Sequence, residues 1–240
     1  MRRSLLLVHA AWALTVGCES PQPAGQPASA PAHETSVAPG INEPYQAPDV
    51  DSFVARFETE SREVYAKRRQ IVADMRLSPG SAVADIGAGT GAFTFVLAEA
   101  VGTSGRVYAV DIAAPFLDHI RTRAAEQGVD NVVTVRCEED SVGLPPRSID
   151  AAFVCDTYHH FEYPQSSLAS IRDALRPGGE LFIVDFERIE GRSSDWILNH
   201  VRCGKETVIQ EVTSAGFELL PPAAQTAELK ENYFLRFRKR

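Results

Sequence analysis

Five short runs of the chain are almost wholly apolar: 82–86, 107–111, 132–135, 151–155 and 181–186. Helical stretches separate them at 92–101, 115–127 and 166–175. A strand with one face in water alternates apolar and polar residues, whereas a strand without that alternation has both faces covered. Such runs alternating with helices imply a parallel sheet wrapped on both sides, a doubly wound, mostly parallel α/β fold. An amphipathic helix over 51–75, carrying Phe53, Phe57, Val64, Ile71 and Val72, precedes the first strand and stops at Ser78-Pro79-Gly80. After the fifth run come a helix at 206–215 and two further strand-like segments, 217–220 and 233–237. Ligands of such sheets bind at the carboxyl ends of the strands.

The N-terminus obeys other rules. Arg2 and Arg3 precede a short apolar run from Leu5 to Val16, the pattern of a secretory signal peptide. It ends in Leu14-Thr15-Val16-Gly17-Cys18, which resembles a bacterial lipobox, with Thr15 where Leu is usual. Residues 1–18 are therefore expected to direct export, with Cys18 lipidated. The product would be anchored to a membrane on the periplasmic or outer side, or cytoplasmic if the signal is not used. From 19 to 50 the chain is rich in Pro and Ala, and no Lys or Arg stands between Arg3 and Arg56. Such a stretch buries too little apolar surface to offset its ordering entropy, so it reads as a disordered tether. Residues 51–240 form the single domain.

Composition narrows the function classes. Lys+Arg total 24 against 32 Asp+Glu, a net charge of −8, which argues against a nucleic-acid partner. Cys18, Cys137, Cys155 and Cys203 form no C-x-x-C pair, so neither a disulfide scaffold nor a Cys-rich zinc site is expected, and no metal ligands are read. Cys137 and Cys155 read as buried, inert thiols.

The strongest local signal is Val83-Ala84-Asp85-Ile86-Gly87-Ala88-Gly89-Thr90-Gly91, a strand running through a glycine turn into a helix. Glycines let the chain turn sharply and bring bare backbone N–H groups against a ligand. Gly87, Gly89 and Ala92 also satisfy the dinucleotide pattern G-x-G-x-x-G/A, and Asp111 suits a ribose in either case. Asp85 separates the two: a carboxylate beside the loop repels a pyrophosphate and welcomes an ammonium group. S-adenosylmethionine carries an amino group, a sulfonium, a ribose and an adenine, and no phosphate. Asp85 would hold the ammonium, Asp111 the ribose hydroxyls and Asp140 the adenine amine, with Gly87, Ala88, Gly89, Gly91 and Ile112 shaping the donor site.

At these residues the chain resembles the class I S-adenosylmethionine-dependent methyltransferases, over roughly residues 50–237. Asp85–Gly91 resembles the family's first motif, and Val110-Asp111 its ribose acid. Asp140-Ser141-Val142-Gly143-Leu144-Pro145 is similar to the D-x-x-x-L-P segment near the adenine. Ile149-Asp150-Ala151-Ala152-Phe153-Val154 resembles the fourth strand, and Leu175-Arg176-Pro177-Gly178-Gly179 the turn before the fifth. The resemblance implies a seven-stranded sheet whose last strand runs antiparallel to the rest.

For the methyl acceptor, Asp156-Thr157-Tyr158-His159-His160-Phe161 follows the fourth strand. His159 or His160 is a candidate proton acceptor, and Asp156 and Tyr158 are candidate pocket residues; fixing the loop or capping the next helix is the plainer alternative. His200, Arg202 and Lys205 would make a positive rim, or simply a solvated helix face. Arg62 and Tyr65 would cover the donor, or pair and pack without it. The function expected is methyl transfer to a small-molecule acceptor. A nicotinamide-linked oxidoreductase is disfavoured by Asp85, and a membrane-tethered module that binds without catalysis is the alternative from a different class.

Overall fold

A computed structural model describes residues 34–60, 62–221 and 229–240. The apolar runs become β1 (Ala82–Ile86), β2 (Arg106–Asp111), β3 (Val132–Arg136), β4 (Ile149–Cys155) and β5 (Leu175–Phe186), followed by β6 (Phe217–Leu219) and β7 (Asn232–Lys239). They form one seven-stranded sheet in the order β3-β2-β1-β4-β5-β7-β6. The strands from β3 to β5 are parallel, and β7 lies antiparallel between β5 and β6. This is the doubly wound, mostly parallel α/β sheet expected. The inserted antiparallel strand separates it from the dinucleotide fold, whose order is 3-2-1-4-5-6.

Period-two alternation sorts the strands between two layers. Ala84, Ala152, Val154, Leu181 and Ile183 face one side, against α6 (Pro164–Ala174) and α8 (Lys205–Ser214) through Leu168, Ile171, Val208 and Val212. Val83, Phe153, Phe182 and Val184 face the other, against α3 (Arg68–Asp74) and α4 (Thr94–Val101) through Ile71, Val72, Leu97 and Val101. On the outer strands, α5 (Ala114–Gln127) packs beside β2 and β3. Both sheet faces are therefore covered, which is why the strand sequences lack polar alternation.

Two expectations need correcting. The helix over 51–75 is three: α1 (Val50–Phe57), α2 (Glu63–Ala66) and α3. Past Phe57 the backbone leaves helical geometry: Glu58 pairs with Arg123 at 2.8 Å, and Arg62 takes an extended conformation and pairs with Asp156. Tertiary ion pairs overrule the helical periodicity there.

The second correction is the tether. Residues 34–50 belong to the compact unit Glu34–Arg240. The Glu34 carboxylate accepts N–H groups of Gln165 and Ser166 at the start of α6, at 2.9 and 2.7 Å. Ser36 donates to Glu162, and buried Asn42 donates to the His160 carbonyl at 3.1 Å. A few polar anchors hold this stretch where its composition offered almost no apolar ones. The expected signal peptide, Cys18 and the tether as far as His33 lie outside the described residues. Among the described residues no helix is long and apolar enough to cross a membrane.

Candidate functional site

The sheet order reverses direction between β1 and β4, the switch point where ligands bind in open α/β sheets. A cavity of about 800 Å³ opens there. It is walled by the chain leaving β1, β2, β4 and β5, and roofed by residues from 42 to 65.

On the donor side, Gly87, Ala88 and Gly89 line the cavity with Asp85, Asp111 and Ile112, as expected. Their backbone works differently from the expectation of bare donors. The N–H groups of Gly87 and Ala88 both reach the Val110 carbonyl, at 2.8 and 3.1 Å, and that of Gly91 reaches Ala88. The Gly89 N–H donates to Asp111 Oδ2 and the Ala113 N–H to Asp111 Oδ1, each at 2.8 Å. The loop thus spends these donors on itself and on an acid, and what it turns to the ligand is carboxylate. That arrangement suits a cationic ligand and opposes a pyrophosphate.

Asp85 is buried and accepts a 2.6 Å hydrogen bond from Thr94. Burial outweighs that bond and, with the Asp111 charge nearby, raises the Asp85 carboxyl to about 7. Burial likewise raises Asp111 against the N–H bonds that lower it. The space at Gly89 is open, since an added Cβ would meet nothing closer than Phe57 at 3.9 Å. Thr90 Oγ1 lines the cavity, buried and without a hydrogen-bond partner among the described residues.

Two donor-side candidates fall away. Gly91 does not line the cavity; a Cβ there would press on Ile120 at 2.9 Å, so it is the close approach to α5 that needs glycine. Asp140 is exposed and outside the cavity, while Glu138, Glu139, Ser141 and Val142 line it. The segment is right, but the bridge between Glu138 and Ser141 turns Asp140 outward.

On the acceptor side, Asp156, His159 and His160 line the cavity with His200, Tyr45, Phe57, Phe186 and Trp196. Asp156 is fixed: it accepts from Arg62 and, at 2.6 Å, from Asn232. Tyr158 is not in the site. Its ring is fully buried and its hydroxyl donates to Glu211 at 2.7 Å, beneath Arg202. Burial and the Glu211 charge hold that hydroxyl protonated. His160 is no base near neutral pH, because burial and the adjacent His159 and His200 push it down to about 2. His159 Nδ1 is held by Asp185 Oδ1 at 2.7 Å, which leaves Nε2 as its free atom.

The expected positive rim does not form. Arg202 makes a two-pronged pair with Glu211, at 2.9 and 2.7 Å, and Lys205 lies 3.7 Å from Glu187. His200 alone of the three reaches the cavity, and burial lowers its basicity. Arg62 and Tyr65 do line the cavity, so the roof is real. Burial raises the Cys137 thiol to about 12 and Cys155 well above its ordinary value, in keeping with inert thiols.

Sequence reasoning missed Asp185, Asn42 and Tyr45. Asp185 had a signal, a carboxylate at the carboxyl end of the apolar strand Leu181-Phe182-Ile183-Val184. Asn42 and Tyr45 lay within a stretch whose composition reads as tether. Trp196 sits on α7 (Asp195–His200) and stacks on His200 with ring centres 4.8 Å apart.

Residues 84–181 match the family model of a methyltransferase domain. A ubiquinone/menaquinone biosynthesis C-methyltransferase from Burkholderia mallei is 30% identical over 118 residues, covering 49% of this chain and 48% of that protein. The chain thus spans about half the length of the curated relatives it matches. Among solved structures, a SAM-dependent methyltransferase from Aquifex aeolicus aligns with a TM-score of 0.68 at 21% identity, over 78% of this chain and 97% of that one. The [4+2]-cyclase SpnF aligns at 0.61 and 17% identity, over 73% and 80%. Residues 84–181 are therefore similar to a methyltransferase domain, the sheet has the fold of solved SAM-dependent methyltransferases, and the carboxylate-lined donor site fits the cationic, phosphate-free chemistry of S-adenosylmethionine.

Proposed function

We propose that this protein transfers a methyl group from S-adenosylmethionine to a small acceptor with a flat, apolar body, and that it acts as an exported lipoprotein. The observation that carries the first part is the single cavity joining two unlike halves. One half presents carboxylates around a glycine turn; the other presents Tyr45, Phe57, Phe186, Trp196 and imidazoles. Its volume of about 800 Å³ lies high in the range of small-molecule sites. When bound, S-adenosylmethionine supplies an electrophilic methyl group on a sulfonium that leaves as a neutral thioether. Asp85 would hold the donor's ammonium group and Asp111 its ribose hydroxyls, with Ile112 and Val142 available to line its apolar side. Tyr45, Phe57 and Trp196 cover the acceptor and keep water from competing for the methyl group. The name of the Burkholderia relative, a C-methyltransferase of quinone biosynthesis, supports a ring-shaped acceptor.

Full-length protein titrated calorimetrically should bind S-adenosylmethionine and ignore NAD. Incubated with extract and methyl-labelled donor, it should pass label to a small, extractable product. Binding of NAD in preference to S-adenosylmethionine would sink the reading. Tight donor binding with no transferred label would favour the non-catalytic module.

The second part rests on the basic start, the short apolar run and Cys18. Cells fed labelled fatty acid should yield a labelled, membrane-bound protein, and Cys18→Ala should abolish the label. One acyl chain anchors only marginally, so more than one chain on Cys18 is expected for stable membrane retention. Unlabelled full-length protein in the cytosol of the native host would overturn export.

A further inference from the structure

Three imidazoles reach the acceptor half of the cavity from separated stretches of chain. His159 and His160 come from the turn after β4, and His200 from the last turn of α7. Each offers one ring nitrogen, and the three nitrogens lie within 4.8 Å of one another. His160 Nε2 and His200 Nε2 are 3.3 Å apart. Ligands at about 2.0–2.1 Å around a tetrahedral zinc ion are themselves roughly 3.3–3.4 Å apart, so this pair already has the spacing of two ligands on one ion. The widest separation needs to close by no more than about 1.4 Å, which small side-chain rotations supply.

One further observation points the same way. A metal-bound histidine characteristically gives its other ring N–H to a carboxylate, which fixes the ring's orientation. His159 does this with Asp185, and Asp185 is itself pinned by the N–H groups of His159 at 3.0 Å and Phe186 at 2.8 Å. Asp156, a cavity-lining carboxylate on the same loop, is engaged by Arg62 and Asn232. The donor set is therefore three imidazoles with an open position toward the cavity.

We infer that His159, His160 and His200 bind a divalent transition-metal ion, zinc by the chemistry of the donor set, with Asp185 as the positioning residue. Three protein ligands and one open position is the pattern of a reactive site; a purely structural zinc site is closed by four. The role of the ion rests on the methyl-transfer reading above. Its open position takes the acceptor's hydroxyl or thiol as the anion, the proton leaves to water, and the oxygen or sulfur is held in the cavity shared with the donor. The acceptor class is thus a molecule with an ionisable hydroxyl or thiol on its flat body.

The test equilibrates full-length protein with zinc or cobalt(II), removes loose metal with a weak chelator, and measures what stays. One equivalent should be retained, and cobalt(II) should give the strong visible absorption of a four-coordinate ion. His200→Ala and the more conservative His200→Gln should each lose that equivalent and that absorption. Asp185→Asn should weaken metal affinity by 10- to 100-fold, and His119→Ala, on α5 and outside the cavity, should leave metal retention unchanged. Thermal transitions recorded alongside separate lost metal from lost fold. No retained metal, or equal retention by wild type and both folded His200 variants, would overturn the site. S-adenosylmethionine affinity, measured on the same samples, tests the donor reading separately. Label transfer that persists after metal removal would overturn the ion's role in activating the acceptor.

Discussion

Gly87→Ala is expected to lower the melting temperature by about 5–15 °C and to take donor binding with it. Gly87 has φ +71°, a conformation that costs an L-residue roughly 1–2 kcal/mol. A Cβ there would stand 2.2 Å from Thr157 Cγ2 and 2.5 Å from Thr157 Oγ1. Thr157 cannot simply turn away, because its hydroxyl donates to the Cys155 carbonyl at 2.9 Å. Overpacking of this kind costs about 1–3 kcal/mol more. The two terms total about 2–5 kcal/mol, and each kcal/mol shifts the transition of a domain this size by roughly 2–4 °C. The same displacement moves the donor loop off the acceptor loop. Gly89→Ala is the control: its φ of +52° is strained too, but its Cβ meets nothing closer than Phe57 at 3.9 Å. It should melt within a few degrees of wild type, at about 1–2 kcal/mol of backbone cost. Thermal melts of the two variants check this, and equal melting of Gly87→Ala and wild type would refute the steric argument.

S-adenosylmethionine affinity should fall by about 50-fold between pH 7 and pH 5. Burial places the Asp85 carboxyl at about 7 in the free protein, and the donor's ammonium group requires the charged form. Below that value each pH unit therefore costs close to tenfold in binding, with one proton taken up as donor leaves. The sign is fixed by the direction of the shift: a raised carboxyl loses its charge as pH falls through 7, and the cation loses its partner. Asp85→Asn should bind weakly and with a flatter profile over the same window. Calorimetry at four or five pH values would measure it. A profile that is flat in wild type, or equally steep in Asp85→Asn, rules out Asp85 as the partner of the cation.

The donor half was legible because its signals are local. A glycine turn between a strand and a helix, with acids at the ends of β1 and β2, is a continuous stretch whose geometry follows from its own residues. Where the reading slipped there, the cause was still local: at the turn between Glu138 and Ser141, Glu138 and Glu139 line the cavity and Asp140 does not. The acceptor half was barely legible. His200 lies 40 residues from His160, yet their ring nitrogens are 3.3 Å apart. Asn42 and Tyr45 belong to a stretch whose composition says tether. Tyr158, one residue from His159, points into the other layer and ties α8 to the sheet through Glu211.

By itself the sequence determined the layered α/β sheet, the direction of its first five strands and the place of the glycine turn and its two acids. Those follow from backbone hydrogen bonding, two-sided burial and the conformational freedom of glycine, all of which act over short runs of chain. Only the tertiary structure decided which side chains share the acceptor cavity, that residues 34–50 help to roof it, and that Asp185 orients His159. These depend on how loops from β1, β4 and β5 meet at one edge of the sheet. Contacts between loops far apart in sequence, each settled by one or two polar bonds, leave no periodic trace in the residues that make them.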